Sequence, residues 1–488
     1  MPANYLPTSS EYIRILPEII LTVLGVIIML MEAVFTDAQK KIYPYLTFAG
    51  LLAAIGGTIA ASNDPGFAFQ NMLVIDGYAT FFRFIVLGVG LLTVLGSAQY
   101  LERAKANTGE YWGLILFSIV GQSLMATSNE LIMIFIGLEI SSIATYILAG
   151  YLRDDRRNNE SALKYFLLGS FATAFFLYGV AWIYGMTGFT NLTEIRRYLL
   201  TADLSNSIVL VGSAAALMFV GFAFKISAAP FQVWAPDVYQ GAPAPVTAFM
   251  SAGPKAAAFA ILTRVFLTAF GPISDRWEPI FWVVALATMI VGNFAALRQT
   301  NIKRMLAYSS IAHAGYILVA ITCHTAIGTA ASMFYLASYA FMNVGAFAVV
   351  THLARKDEQY VEIDDLAGLA QRQPMTAAMM TIFLLSFIGV PLTGGFFGKF
   401  YIFKAALDSQ FYWLTVLGLL NSAVAAYYYL RVLVVMYMKE PGESTESLEP
   451  LSGGLLIAVG TSALATLVLG IFPSLVLDVA IASSNFVK

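Results

Sequence analysis

The chain has 488 residues, 59% of them apolar and 11% charged, against roughly 45–50% and about 25% in a soluble domain. That balance excludes a water-soluble globular protein, and a net charge of −2 offers no attraction to nucleic acid. One cysteine, Cys323, excludes an intrachain disulfide or an iron–sulfur site, and the histidines His313, His324 and His352 lack metal-ligand spacing.

Apolar runs of about 20 residues, enough for a hydrocarbon core of roughly 30 Å, recur from residue 13 onward. The predicted fold is all-α: a polytopic membrane protein with about 14 transmembrane helices at 13–34, 42–62, 77–99, 111–127, 130–151, 161–187, 206–228, 242–268, 279–297, 303–322, 325–352, 375–407, 412–438 and 453–482. The first run leads into Glu32 and Asp37 without a small-residue cleavage site and reads as a retained helix. Loops after odd-numbered helices carry Lys40, Lys41, Arg103, Lys105, Arg153, Arg156, Arg157, Arg298, Lys303, Arg304, Arg355, Lys356, Arg372 and Lys439. Those after even-numbered helices carry only Arg196, Arg197, Arg264, Arg276 and Lys404. This bias puts the odd loops in the cytoplasm and both termini on the non-cytoplasmic side of a cell membrane.

In helix 5, Glu139 is the only charge between Leu131 and Tyr151. Its plainer alternative is a protonated carboxyl bonded to Ser141 or Ser142. Lys164 stands one turn into helix 6, close enough to an interface for its stem to snorkel. Residues 222–258 then hold Lys225 and Lys255 around Pro230, Pro236, Pro243, Pro245 and Pro254. Prolines remove a backbone donor and clash with the preceding turn, so two helix segments joined by a bent linker are expected here. Such backbone survives at membrane depth only inside protein or along a wet cavity. Lys255 lies about thirteen residues, roughly 20 Å, into helix 8 and cannot snorkel easily. Asp237 sits in the linker as a possible helix cap.

His313, in Tyr308-Ser-Ser-Ile-Ala-His313, reads either as a satisfied core histidine or as a relay between Lys255 and Lys399; His324 and His352 fall at helix ends. Helix 12 repeats the combination of breakers and a lysine in Gly389-Val-Pro391-Leu-Thr-Gly394-Gly395-Phe-Phe-Gly398-Lys399. It comes five helices after the first break, and five is odd. A unit spanning helices 4–8 and repeated as 9–13 must therefore enter the membrane from the opposite face, an inverted repeat with broken helices 7 and 12 as partners. The expected segments are 1–110 for helices 1–3, 111–270 and 271–440 for the two repeats, and 441–488 for the last helix. Arg431, two turns from the end of helix 13, reads as snorkelling.

A charged Asp, Lys or Arg at a helix centre costs roughly 2.5–3.5 kcal/mol. Four groups of that kind would cost on the order of 10–14 kcal/mol, comparable to the whole stability of a typical domain. Retention at that cost points to function. The proton affinity of a lysine depends on its burial and on the distance of a carboxylate. Moving Glu139 relative to Lys225 would therefore switch a lysine between holding and releasing a proton.

Lys225-Ile-Ser-Ala-Ala-Pro-Phe, Trp234-Ala-Pro-Asp-Val-Tyr-Gln-Gly-Ala-Pro and Met305-Leu-Ala-Tyr-Ser-Ser-Ile-Ala-His313 resemble the signatures of the antiporter-like membrane subunits of respiratory complex I, the proton-pumping NADH–quinone oxidoreductase. The resemblance runs over nearly the full chain and is nearer to the subunit N group than to L or M. It implies a non-redox subunit of a translocase, lying beside other antiporter-like and small subunits in the membrane arm, in the cell inner membrane. It implies a polar axis of Glu139, Lys225, Lys255 and Lys399 that moves protons, with Lys164 and His313 in secondary roles. NADH, FMN, iron–sulfur clusters and quinone belong to partner subunits in this reading, and no cofactor to this chain. Gln232 departs from the pattern, because relatives often carry histidine there; glutamine-held water would have to serve instead. The alternatives are a subunit of a multisubunit cation/proton antiporter, with the same lysines, and a structural scaffold of the membrane arm.

Overall fold

A computed structural model describes residues 6–203, 207–354, 358–446, 448–484 and 486; the predicted loop cations Arg355 and Lys356 lie outside them. The helices are α1 Leu16–Glu32, α2 Tyr43–Ser62, α3 Gly77–Arg103, α4 Gly109–Thr127, α5 Leu131–Ala149, α6 Arg156–Thr187 and α7 Ile208–Ile226. There follow α8 Ala244–Arg264, α9 Ser274–Ala296, α10 Ile302–Thr322, α11 Ala326–Ala354, α12 Pro374–Ile388, α13 Tyr412–Met438 and α14 Gly453–Ile471. Short polar side chains set several starts, as Asp76, Asp155, Asn301 and Ser452 each accept a first-turn backbone N–H of α3, α6, α10 and α14. Proline stands in the first turn of α1, α2 and α12, where its missing donor costs nothing.

Among the described residues, eleven helices are long and apolar enough to cross a bilayer. Both predicted breaks are present. After Ile226 the chain leaves α7 through Ser227 in left-handed conformation and runs through a linker helix, Trp234–Gly241, into α8. After Ile388 it leaves α12 through left-handed Gly389 and resumes as the half-helix Gly394–Asp408. Two departures from expectation are local. The last predicted helix is divided, α14 stopping at Ile471 and a short helix, Ser474–Ser483, starting after Pro473, which has no N–H to continue the first. The connection from α2 to α3 forms an antiparallel hairpin, Gly66–Ala68 with Leu73–Ile75, whose turn passes through positive φ at Phe69, Gln70 and Asn71.

Burial ranks the helices. In the most apolar stretches of α8, α10 and α11, 94% of residues are buried, against 39% in α2, α6, α9 and α13. The helices bearing Lys255 and His313 are thus the central ones, and the poorly buried helices form the outer wall.

Close backbone approach builds two helix pairs, α4 with α5 and α9 with α10. A Cβ on Gly121 would stand 2.5 Å from the Gly137 carbonyl, and one on Gly137 3.0 Å from the Gly121 carbonyl, which brings α4 against α5. Gly292 and Gly315 do the same for α9 and α10, with contacts of 2.5 Å to the Ala312 nitrogen and 2.8 Å to the Met289 nitrogen. Small residues supply this packing where no hydrophobic force joins helices in lipid. Gly121→Val is expected to destabilise the subunit by about 1–3 kcal/mol, the cost of overpacking a filled contact. The midpoint of heat-induced subunit release from the detergent-solubilised assembly measures it, and an unchanged midpoint would contradict the tight α4–α5 contact.

Candidate functional site

Glu139, Ser142 and Tyr146 follow one another at helical spacing on a single face of α5. Lys225, in the last turn of α7, reaches that face: its Nζ donates to Ser142 Oγ at 2.7 Å and Tyr146 Oη at 3.0 Å, 5.0 Å from the Tyr146 ring centre. Glu139 is partly buried, and its Oε1 is enclosed without a hydrogen-bond partner. Among the described residues it makes no ion pair, and Lys225 is held by hydroxyls instead of by this carboxyl.

Lys255 points from the buried centre of α8 to α10. It is 2% exposed, and its Nζ donates to the Ser310 carbonyl at 2.9 Å and to Ser310 Oγ at 2.5 Å. The neighbouring Ser309 hydroxyl bonds Tyr429 Oη, which lies 3.2 Å from His313 Nε2, while His313 Nδ1 bonds Tyr335 Oη. His313 is 1% exposed. Hydroxyls and one imidazole therefore run from Lys255 toward Lys399. Polar side chains of this kind in a membrane core can accept one proton while passing on another.

Lys399, 6% exposed, closes the row. From the second half of the broken helix it reaches back to the end of the first, donating to the Phe387 carbonyl at 2.8 Å and the Ile388 carbonyl at 3.0 Å, and to Ser422 Oγ of α13 at 2.7 Å. Those carbonyls form the negative end of α12, so backbone dipoles rather than a carboxylate hold the ammonium. A groove of about 510 Å³, lined by Phe396, Phe400, Phe403 and Leu419, opens beside it.

Lys164 lies apart from this row. It pairs with Glu160 and with Asp237, both at 2.7 Å, and Asp237 also binds Arg304 at 2.6 Å. Asp237 is thus an ion-pair partner within the linker helix instead of a cap. Gln232 keeps an enclosed, unpaired Oε1, an acceptor for a water. Arg431 donates to the Gln299 carbonyl at 3.1 Å, and His324 pairs with Glu278 at 2.9 Å. His352, expected near an interface, is buried against Gln373.

Two of the cations read as loop residues are interior. Arg264 is bidentate to Asp76, both bonds at 2.9 Å. Lys303 is 0% exposed, donating to Glu358 Oε2 and the Ala242 carbonyl, each at 2.5 Å. Sequence reasoning passed over Tyr146, Ser422 and Tyr429, and it offered Ser142 to Glu139 instead of Lys225 and did not join Ser310 to Lys255, because hydroxyls in apolar helices carry no signal until a lysine is seen beside them.

The NADH:quinone oxidoreductase/Mrp antiporter transmembrane family model matches residues 128–425. The chain is 62% identical to NADH-quinone oxidoreductase subunit N 1 of Solibacter usitatus over 488 residues, covering 100% of both. It superposes on a chain of respiratory complex I from Thermus thermophilus with a TM-score of 0.82 at 34% identity, covering 96% of this chain and 100% of that one. A chain of the Mrp complex from Dietzia shares the fold at 19% identity, with a TM-score of 0.82 over 96% and 97% of the two.

Proposed function

This chain belongs to the NADH:quinone oxidoreductase/Mrp antiporter family and to its subunit N group, and from that premise we propose that it translocates protons in the membrane arm of an NADH–quinone oxidoreductase. Quinone reduction in partner subunits drives it. The observation that carries this reading is the row of enclosed lysines held by hydroxyls and carbonyls: Lys225 on Ser142, Lys255 on Ser310, Lys399 on Ser422 and the end of α12. A lysine paired tightly with a carboxylate is fixed in its charged form. Lysines held by neutral groups take up or release a proton as a nearby charge moves, and Glu139 is the charge nearest Lys225 in this scheme. His313, bonded to two tyrosines between Lys255 and Lys399, carries the proton across the second repeat. Lys164 sets the field on the linker helix through Asp237.

The partners are the other antiporter-like and small subunits of the arm and the lipid of the cell inner membrane, with both termini on the non-cytoplasmic side. NADH, FMN, iron–sulfur clusters and quinone are held by partner subunits. Segments 1–110, 111–270, 271–440 and 441–488 are the working divisions, each repeat supplying one broken helix.

The test uses the assembled oxidoreductase in proteoliposomes with Lys225→Ala and Lys399→Ala in this chain. Protons moved per NADH should fall in each while subunit content stays normal; a scaffold would leave that ratio untouched in both. Isolation of the chain free of flavin and iron–sulfur subunits, but together with antiporter subunits, would favour the cation/proton antiporter.

A further inference from the structure

Outside the lysine row, a buried ion pair joins α1 to α3. Glu18 of α1 is 5% exposed and Arg83 of α3 is 0% exposed. Arg83 donates through Nε and Nη2 to Glu18 Oε1 at 3.0 and 2.8 Å, and through Nη2 to the Arg14 carbonyl at 2.9 Å. The Ser123 hydroxyl of α4 also donates to Glu18 Oε1, and it lies 3.2 Å from Arg83 Nε. Arg14 in turn pairs with Asp64 at 3.0 Å, and Asp64 is about half exposed. Polar groups therefore run from inside the bundle to the face that carries the α2–α3 hairpin.

A second run of polar groups starts at the neighbouring residue of α4. Gln122, next to Ser123 and fully buried, donates through Nε2 to Ser118 Oγ at 3.0 Å, and Ser118 bonds Ser141 Oγ at 3.1 Å. Ser142, the next residue on α5, is the acceptor for Lys225. Gln122 Oε1 is enclosed without a partner and packs so closely on α8 that a Cβ at Gly253 would stand 2.6 Å from it. Pro254, directly after that glycine, has no N–H to give to the carbonyl four residues back, which leaves Met250 without its helical donor.

We infer that Gln122, Ser123, Glu18 and Arg83 form an outward branch of the proton row, connecting Lys225 to the face that carries Arg14 and Asp64; this rests on the proposed proton-translocating function. A purely structural ion pair would have its donors and acceptors filled, since an unfilled buried group is costly and apolar replacements stabilise as well or better. Here Glu18 Oε2 and Arg83 Nη1 are both enclosed and unpaired, an acceptor and a donor on one pair. A water bridges such groups, and another satisfies Gln122 Oε1. In transfer, the Lys225 ammonium loses a proton and becomes an amine. Each hydroxyl or water on the way takes one proton on oxygen and gives up another. Glu18 becomes a neutral carboxyl, then a carboxylate again as the proton enters bulk water. Arg83 stays charged throughout, and Gln122 is a positioning residue that holds water without exchanging its amide protons.

The assembled oxidoreductase in proteoliposomes, carrying Ser123→Ala, Ser123→Thr or Gln122→Leu, tests this, with Lys255→Ala alongside. In Ser123→Ala and Gln122→Leu, protons per NADH should fall by at least half of what Lys255→Ala removes, at normal subunit content. Ser123→Thr, which keeps a hydroxyl, should restore the ratio, a rescue that a packing role would not produce. An unchanged ratio in Ser123→Ala and Gln122→Leu beside a lost one in Lys255→Ala rejects the branch and leaves the main row standing. Unchanged pumping in Lys255→Ala overturns both. Where a variant fails to assemble, a map of the wild-type assembly that resolves internal water decides: water bonded to Glu18 Oε2 and Gln122 Oε1 supports the branch, and its absence there rejects it.

Discussion

Lys255→Ala is expected to abolish proton movement while the chain still inserts and assembles. The ammonium lies in the buried centre of α8 and donates to Ser310, so no neighbouring cation is placed to take over that bond. The structural cost is small, because alanine is the best helix former and joins Ala256, Ala257 and Ala258 on the same turn. Ser310 loses a donor but keeps its place in α10, and no buried carboxylate is left unpaired. Proton transfer through the subunit should fall by roughly 10²-fold or more, the scale on which a positioned acid–base group acts. Dye-reported proton movement against the NADH oxidation rate in proteoliposomes measures it. Undiminished pumping in an assembled variant would refute the lysine row.

Lys303→Met has the opposite signature, acting on folding. Glu358 Oε1 accepts from the Ala244 N–H at 2.6 Å and the Tyr100 hydroxyl at 3.2 Å, while Oε2 takes the Lys303 ammonium. One carboxylate thus ties the starts of α8 and α10 to α3. Removing the lysine strands a carboxylate that is nearly inaccessible to water, at about 3–5 kcal/mol for a broken buried pair. The subunit should be depleted from the assembled enzyme, and adding Glu358→Gln should recover much of it by removing the stranded charge. Immunoblotting of purified membranes reads both. Equal content in the single and double variants would show that the pair contributes little.

The membrane class, the two breaks and the main intramembrane charges were legible in the chain because each rests on local chemistry. Hydrocarbon tolerates only long apolar runs, proline and glycine interrupt helices wherever they fall, and an ammonium flanked by alanines advertises its own expense. Lys303 was misread for the same reason. It stands one residue into α10 beside Asn301 and Arg304, which looks like a polar loop, and only folding brings Glu358 onto it from 55 residues away.

The hydroxyl partners were out of reach by the same logic, since Ser309 meets Tyr429 across 120 residues and Lys225 meets Ser142 across 83. The two broken helices show the division most clearly. Along the chain one lysine precedes its proline and the other follows it, so the repeats look mismatched. In space they differ as well: Lys399 folds back onto the carbonyl end of α12, whereas Lys225, in the last turn of α7, reaches the hydroxyls of α5. The amino-acid sequence by itself marked the charges that stand inside long apolar runs, such as Glu139, Lys255 and Lys399. What each of them meets there was decided by tertiary structure, because a hydrogen bond depends on ångström-scale proximity that neighbours along a chain do not encode.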